Sequence, residues 1–185
     1  MSQRIPRLQL HEVRADAADR LRRSTVAHVG HLGEFYQCTS HQPDALLAIM
    51  DFIAALNDAL PKQLVEVIAL TVAGVMENDY ERNQHERRCL ELGFSHAWVA
   101  AVDRLSPDKS AELSSAERAV QRYALAAVVR RGIGVHAELE ALLDHLSSSE
   151  VIAVAMLVGC CVATTIVSNT LALKPSVPSI FERES

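Results

Sequence analysis

From about residue 13 to residue 171, apolar residues recur at helical spacing, segment after segment, and strand signals are nearly absent. That pattern restricts the chain to an all-α fold, since a face that repeats every 3.6 residues cannot be buried as a strand. Composition agrees. Apolar residues make up 49% of the 185 residues while aromatics are only 4%, so the core is built mainly from Ala, Leu, Val and Ile.

Punctuation divides the pattern into elements. Val13 to Arg23 is amphipathic, and an irregular stretch follows in which His28 and His31 sit beside Gly30 and Gly33. Pro43 suits a first helical turn, and the next helix spans about Asp44 to Leu56. Pro61 opens another, Lys62 to Met76, with apolar residues around most of its circumference, which predicts a buried, central helix. After a break near Asn78 the chain turns polar and runs to Gly93, and Ser95 caps a short helix containing Trp98. The segment from Ser106 to Ser110 reads as a loop. Ser114 with Glu117, and Ser147 with Glu150, are capping-box pairs that start helices to about Arg131 and Leu171, with a shorter helix, Val135 to Leu146, between them. Two groups of helices, 43–104 and 114–171, share a rhythm but no residue-level repeat. The expected organisation is an N-terminal segment, 1–42, with one helix packed on a single helical domain, 43–174, and a C-terminal tail, 175–185, that is extended or loosely ordered.

Several function classes are disfavoured. Net charge is −5 and the arginines come in pairs rather than runs, so no nucleic-acid face is expected. The first residues lack the apolar run of a signal peptide, and Val151 to Val167, the most apolar stretch, falls short of the roughly 20 residues of a membrane span and reads as a buried helix. Cys38, Cys89, Cys160 and Cys161 show no CxxC pair and no zinc spacing, which fits free, mostly buried thiols in a reducing cytoplasm. The adjacent Cys160 and Cys161 read as packing. No cofactor, metal or membrane partner is expected.

The chemistry concentrates between Glu66 and Ser95. Glu66 lies among aliphatic residues, and a buried carboxylate needs a partner. Glu81, His85 and Cys89 are four residues apart and therefore share one helix face, a stripe suited to proton transfer. A solvated surface is the plainer reading of such a stripe. Spacing does not pair Glu66 with His85, because at about 1.5 Å per residue they lie roughly 18 and 10 Å from the turn near Asn78. A simple antiparallel hairpin leaves them apart. Glu66, Glu81 and His85 together also resemble a ligand set for a divalent ion, though spacing does not single this out.

The run Leu60-Pro61-Lys62-Gln63-Leu64-Val65-Glu66, then Tyr80-Glu81-Arg82-Asn83-Gln84-His85, then Gly93-Phe94-Ser95, resembles the core motif of the carboxymuconolactone decarboxylase and alkylhydroperoxidase D-like superfamily: a Glu on one helix, Tyr-Glu-Trp and a His on the next, then Gly-Leu-Ser. The resemblance implies a compact, multi-helix fold that assembles into homo-oligomers and a site lined by Glu66, Tyr80 and His85. In the alkylhydroperoxidase branch a CxxC pair reduces peroxide; at the matching positions this chain has Asn78 and Glu81, which removes the two-cysteine cycle. Arg82 stands in place of the usual Trp.

What remains is acid–base chemistry on a small-molecule substrate, decarboxylation or isomerisation of a small organic acid or lactone. His85 is the expected acid or base, Glu66 or Glu81 its orienting partner, and Tyr80 or Asn78 a donor to substrate oxygen. Cys89, one turn beyond His85, is expected near the substrate and offers a second reading as a lone peroxidase-related thiol, against the simpler role of core packing. A third reading is an oligomer that binds a small acid without catalysis.

Overall fold

The computed structural model describes residues 5–26 and 31–182, and among them there are nine α-helices and no strand. His28 and Gly30 lie outside the described residues. Packing groups the chain into two units, Met1–Ala55 and Leu56–Ser185.

In the first unit, α1 (Ala15–Leu21) runs into a π-helical turn, Arg22–Val26, and is followed by α2 (Glu34–Thr39) and most of α3 (Pro43–Ala59). Val13, Ala17, Ala18, Leu21 and Leu46 form its small core, with Tyr36 and Met50 packed against it. The α2 segment reads as irregular in the sequence because six residues are too few to display a helical period.

The second unit is organised around α4 (Lys62–Val75), buried almost continuously from Leu64 to Ala73. It packs on α5 (Asp79–Glu91), α6 (His96–Asp103), α7 (Ser115–Val129) and α9 (Ser148–Thr170). The central burial expected from its all-round apolar surface is observed. Of the polar exceptions, Thr71 accepts a hydrogen bond from Gln121 Nε2 at 3.3 Å, and Glu66 faces α5. Both capping boxes expected at Ser114 and Ser147 are present. The Val135–Leu146 segment divides into α8 (His136–Glu140) and a 3-10 turn, Ala141–Asp144, which buries Leu142 completely.

Two details position the site. The turn between α4 and α5 is a Schellman ending in which Asn78 N–H donates to Ala73 O at 2.9 Å and Glu77 N–H to Gly74 O at 3.3 Å. Its left-handed residue is Glu77, φ 52°, where a side chain costs about 1 kcal/mol relative to glycine. The same ending closes α5, with Gly93 at φ 88° and Phe94 N–H donating to Cys89 O at 2.9 Å.

Two expectations need revision. The α9 helix is buried on one side only: Ile152, Met156, Ile166 and Val167 are exposed. It is also long and apolar enough to cross a membrane by length and composition. The tail after Leu173 is irregular but docked, because Asn83 Nδ2 donates to Val177 O at 2.9 Å and Arg87 Nε to Pro178 O at 3.1 Å.

Candidate functional site

The side chains of interest come from α4, α5 and α9. Glu66 projects from α4 with no solvent exposure, and its Oε2 lies 2.6 Å from His85 Nδ1 on α5. Arg88 Nε is 2.8 Å from Oε1, an ion pair without full hydrogen-bond alignment. Thus the carboxylate that the sequence left without an identified partner has two, and His85 is one of them. Counting residues from the turn underestimates the reach of the side chains, since the imidazole and the carboxylate bridge the difference in height. The same arithmetic places Arg88 about 15 Å from the turn, nearly level with Glu66, and so contained a signal for the partner that sequence reasoning missed.

Solvent reaches the pair from one side. His85 is 26% exposed and Arg88 47%, whereas Glu66 is sealed, so the imidazole and the guanidinium are what a dissolved molecule can meet. Burial alone works to raise the Glu66 pKa, but the His85 and Arg88 charges prevail and hold its carboxyl below the usual range. Burial likewise works to lower that of His85. The Glu66 contact and the nearby Glu81 charge outweigh burial and Arg88, leaving the imidazole more basic than a free histidine. Each charge thus favours the ionised form of the other.

Glu81 lies one turn before His85. Its Oε1 accepts from Ser168 Oγ at 3.1 Å, and Ser168 is a buried residue on the inner side of α9 that also donates toward Thr164 O at 3.0 Å. No local signal in the sequence marks Ser168, which only the tertiary packing of α9 brings to Glu81. The same inner side carries Cys161, whose thiol is held protonated by burial, by Cys160 and by the Glu81 and Glu66 charges.

The other expected residues are placed differently. Asn78 is buried and serves as N-cap of α5: its side-chain oxygen accepts from Glu81 N–H at 2.9 Å and its Nδ2 approaches Thr165 O at 3.5 Å. Tyr80 is buried in the first turn of α5, about 140° of helical rotation from His85, and its carbonyl accepts from Gln84 Nε2 at 2.9 Å. Asn78 thus serves the start of the helix. Cys89 is fully buried with Sγ 4.0 Å from Glu66 Oε2, and burial together with the Glu66 and Asp103 carboxylates pushes its thiol far up. Such a thiol is a poor nucleophile, which favours the packing role over the lone-thiol one. Arg82 turns away toward Asp79, at 2.7 Å, and Glu86, at 3.6 Å. Among the described residues no group of three His, Cys, Asp or Glu side chains is arranged to hold a metal ion, and the divalent-ion reading loses its geometric basis.

A second buried carboxylate lies on a neighbouring face of α5. Glu86 Oε2 accepts from Ser179 Oγ at 2.6 Å and from Ile180 N–H at 2.9 Å, tying the tail to the helix. Beside it, burial and the Glu86 charge push the Asp103 carboxyl up to about 6.

No protein-family model and no curated protein matches the sequence. Solved structures do. A peroxidase-related protein from Ralstonia eutropha JMP134, described as an alkylhydroperoxidase AhpD core, aligns over 94% of this chain and 92% of its own with a TM-score of 0.81 at 19% identity. A variant of the debrominase Bmp8 in complex with 2,3,4-tribromopyrrole aligns over 96% and 94%, with a TM-score of 0.79 at 16% identity. A peroxidase-related protein from Silicibacter sp. TM1040 aligns over 96% and 94%, with a TM-score of 0.75 at 16% identity. At such identities the likeness speaks for architecture, and the architecture is the one to which the Glu66-to-Ser95 motif pointed: the chain has the AhpD-like all-helical fold.

Proposed function

We propose that this protein is an enzyme of redox-neutral proton transfer acting on a small organic acid or lactone, by decarboxylation or isomerisation, with His85 as its acid–base group. The observation that carries the reading is the 2.6 Å contact between His85 Nδ1 and the fully buried Glu66. It fixes the ring, keeps the proton on Nδ1 and leaves Nε2 to work on substrate. Glu66 and Arg88 are positioning groups in this scheme, and the outer nitrogens of Arg88 suit a substrate carboxylate or a developing enolate oxygen.

In a decarboxylation of this kind the carbon–carboxylate bond breaks and its electron pair delocalises into an adjacent carbonyl as an enolate. Carbon dioxide leaves, and the His85 imidazolium returns a proton to carbon. In an isomerisation the neutral imidazole first removes that proton and then delivers it elsewhere. Neither route needs a thiol, which accords with Asn78 and Glu81 at the positions where relatives in the peroxidase branch carry cysteines.

The test is solvent-deuterium incorporation and carbon dioxide release with a panel of lactones and keto acids. His85→Ala is expected to lower turnover by at least about 100-fold while circular dichroism stays unchanged. Undiminished turnover in that variant refutes the assignment. Binding detected by thermal shift, with no exchange or gas release from the unaltered protein, would favour the binding-protein reading instead.

A further inference from the structure

Glu81, Glu117 and Glu150 each stand three residues after the N-cap of a helix. Glu117 and Glu150 do there what such a glutamate ordinarily does, turning back to accept from the backbone N–H of Ser114 and Ser147 and so closing a capping box. Glu81 is denied that role. The N–H of its own N-cap, Asn78, already donates to Ala73 O in the Schellman ending of α4. The Glu81 carboxylate reaches Ser168 Oγ on α9 instead, at 3.1 Å.

Ser168 is an informative partner for a carboxylate. It is buried, and its hydroxyl lies between two acceptors, Glu81 Oε1 at 3.1 Å and Thr164 O at 3.0 Å, yet carries a single hydrogen. With Glu81 ionised, that hydrogen goes to the carboxylate. With Glu81 protonated, the carboxyl donates to Ser168 Oγ and the hydroxyl hydrogen turns to Thr164 O. A lysine or arginine would favour the charged form alone. The hydroxyl keeps the side chain in place through gain and loss of a proton, which an acid–base group needs and a structural anion does not.

Placement agrees. Glu81 is half-buried, as His85 is, and lies one turn before it on the same face, about 6 Å away along α5. Its charge helps to keep the imidazole basic. Glu66 on α4 orients His85 and Ser168 on α9 orients Glu81, so each is positioned by a different helix.

We infer that Glu81 is a second proton-transfer group of this site, with Ser168 as its positioning residue, and that Glu81 and His85 together isomerise a β,γ-unsaturated acid or lactone. This rests on the proton-transfer reading above and divides between two groups the steps assigned there to His85 alone. The Glu81 carboxylate takes a proton from the carbon next to the carbonyl, and the C–H electron pair delocalises as a dienolate. The His85 imidazolium gives its own proton to the far carbon of the dienolate, which moves the double bond into conjugation. Exchange with water then removes the proton from Glu81 and returns one to His85.

Turnover of β,γ-unsaturated acids and lactones by the full chain in D2O tests this. The product is expected to carry about one deuterium at its new C–H position, delivered by an imidazolium equilibrated with solvent. Glu81→Gln, which keeps the shape and can still reach Ser168, should lower kcat at least about 100-fold. Ser168→Ala should lower kcat about tenfold, with KM within about twofold and circular dichroism unchanged. Ser168→Thr keeps the hydroxyl and should recover most of that loss; if threonine does not fit, the alanine result decides. Retention of the substrate's own hydrogen at the new position overturns the inference, since one group then both removes and returns it. So does an undiminished kcat in Glu81→Gln or Ser168→Ala, and when His85→Ala is inactive in the same assay the proton-transfer reading stands without it. An unaltered protein that converts none of these substrates but exchanges or decarboxylates others overturns the inference alone, and one inactive on all of them overturns both.

Discussion

Glu66 and Glu86 are both buried carboxylates in contact with α5, yet they are satisfied in different currencies. Glu66 faces two cations, one of which can give up its proton at moderate pH, and both of those cations reach solvent. Glu86 is held by a hydroxyl, a backbone N–H and a more distant arginine, with a second carboxyl beside it. The first arrangement couples a buried acid to two partly exposed cations. The second spends its hydrogen bonds on the chain itself, pinning the tail. Burial of an acid therefore says little about its role until the kind of partner is known.

Removing each acid in turn should separate the two. Glu66→Ala leaves His85 and Arg88 beside a buried void, and a loss of about 3 kcal/mol in urea unfolding is expected, moderated because both cations can turn toward water. Glu86→Ala should cost less, about 2 kcal/mol, because what it strands is one amide and one hydroxyl. Its signature is local: hydrogen exchange should quicken at Ile180 and leave α4 protected. If exchange quickens throughout α4 instead, the tail is not where Glu86 acts.

Asp103→Asn should have a smaller effect of opposite sign. The native carboxyl is raised to about 6, so its contribution is complete below the unfolded value near 4 and disappears as pH rises through about 6. Asparagine keeps a neutral donor beside Glu86. The variant is expected to be about 1 kcal/mol more stable at pH 8, discounting for partial solvation, with the advantage fading as pH falls from about 6 to about 4. The smallest change to measure is spectroscopic. His85 should titrate above 6.5 by NMR, and Glu66→Gln should bring its midpoint down. The Glu66–His85 pair thus stabilises the fold between the acid limit set by the lowered Glu66 pKa and the alkaline limit set by the raised His85 pKa.

A second comparison explains what was legible beforehand. Helices α4 and α9 are both long apolar runs, and periodicity treats them alike. Neighbours cover α4 on nearly every side, while α9 has them on one. Hydrophobicity records the tendency to leave water but not what does the covering, so the sequence reading buried both. Glu66 was recognisable because a charge inside an aliphatic run has few explanations. Arg88 was not, since an arginine in a run of charges looks like ordinary solvated surface. Tyr80 and Asn78 enter the expected site through the motif alone; in the fold Tyr80 is buried in the first turn of α5 and Asn78 caps that helix.

By itself the sequence determined the helical class, the centrality of α4, the caps at Ser114 and Ser147 and the window in which Glu66 finds its partner His85. Those follow from local periodicity, capping and the cost of burying a charge, all of which act over a few residues. Tertiary structure decided which side chains meet. The Glu66–His85–Arg88 cluster, the Ser168 contact with Glu81 and the docking of the tail on Glu86 each join residues of different elements, and only the packing of whole helices fixes such distances.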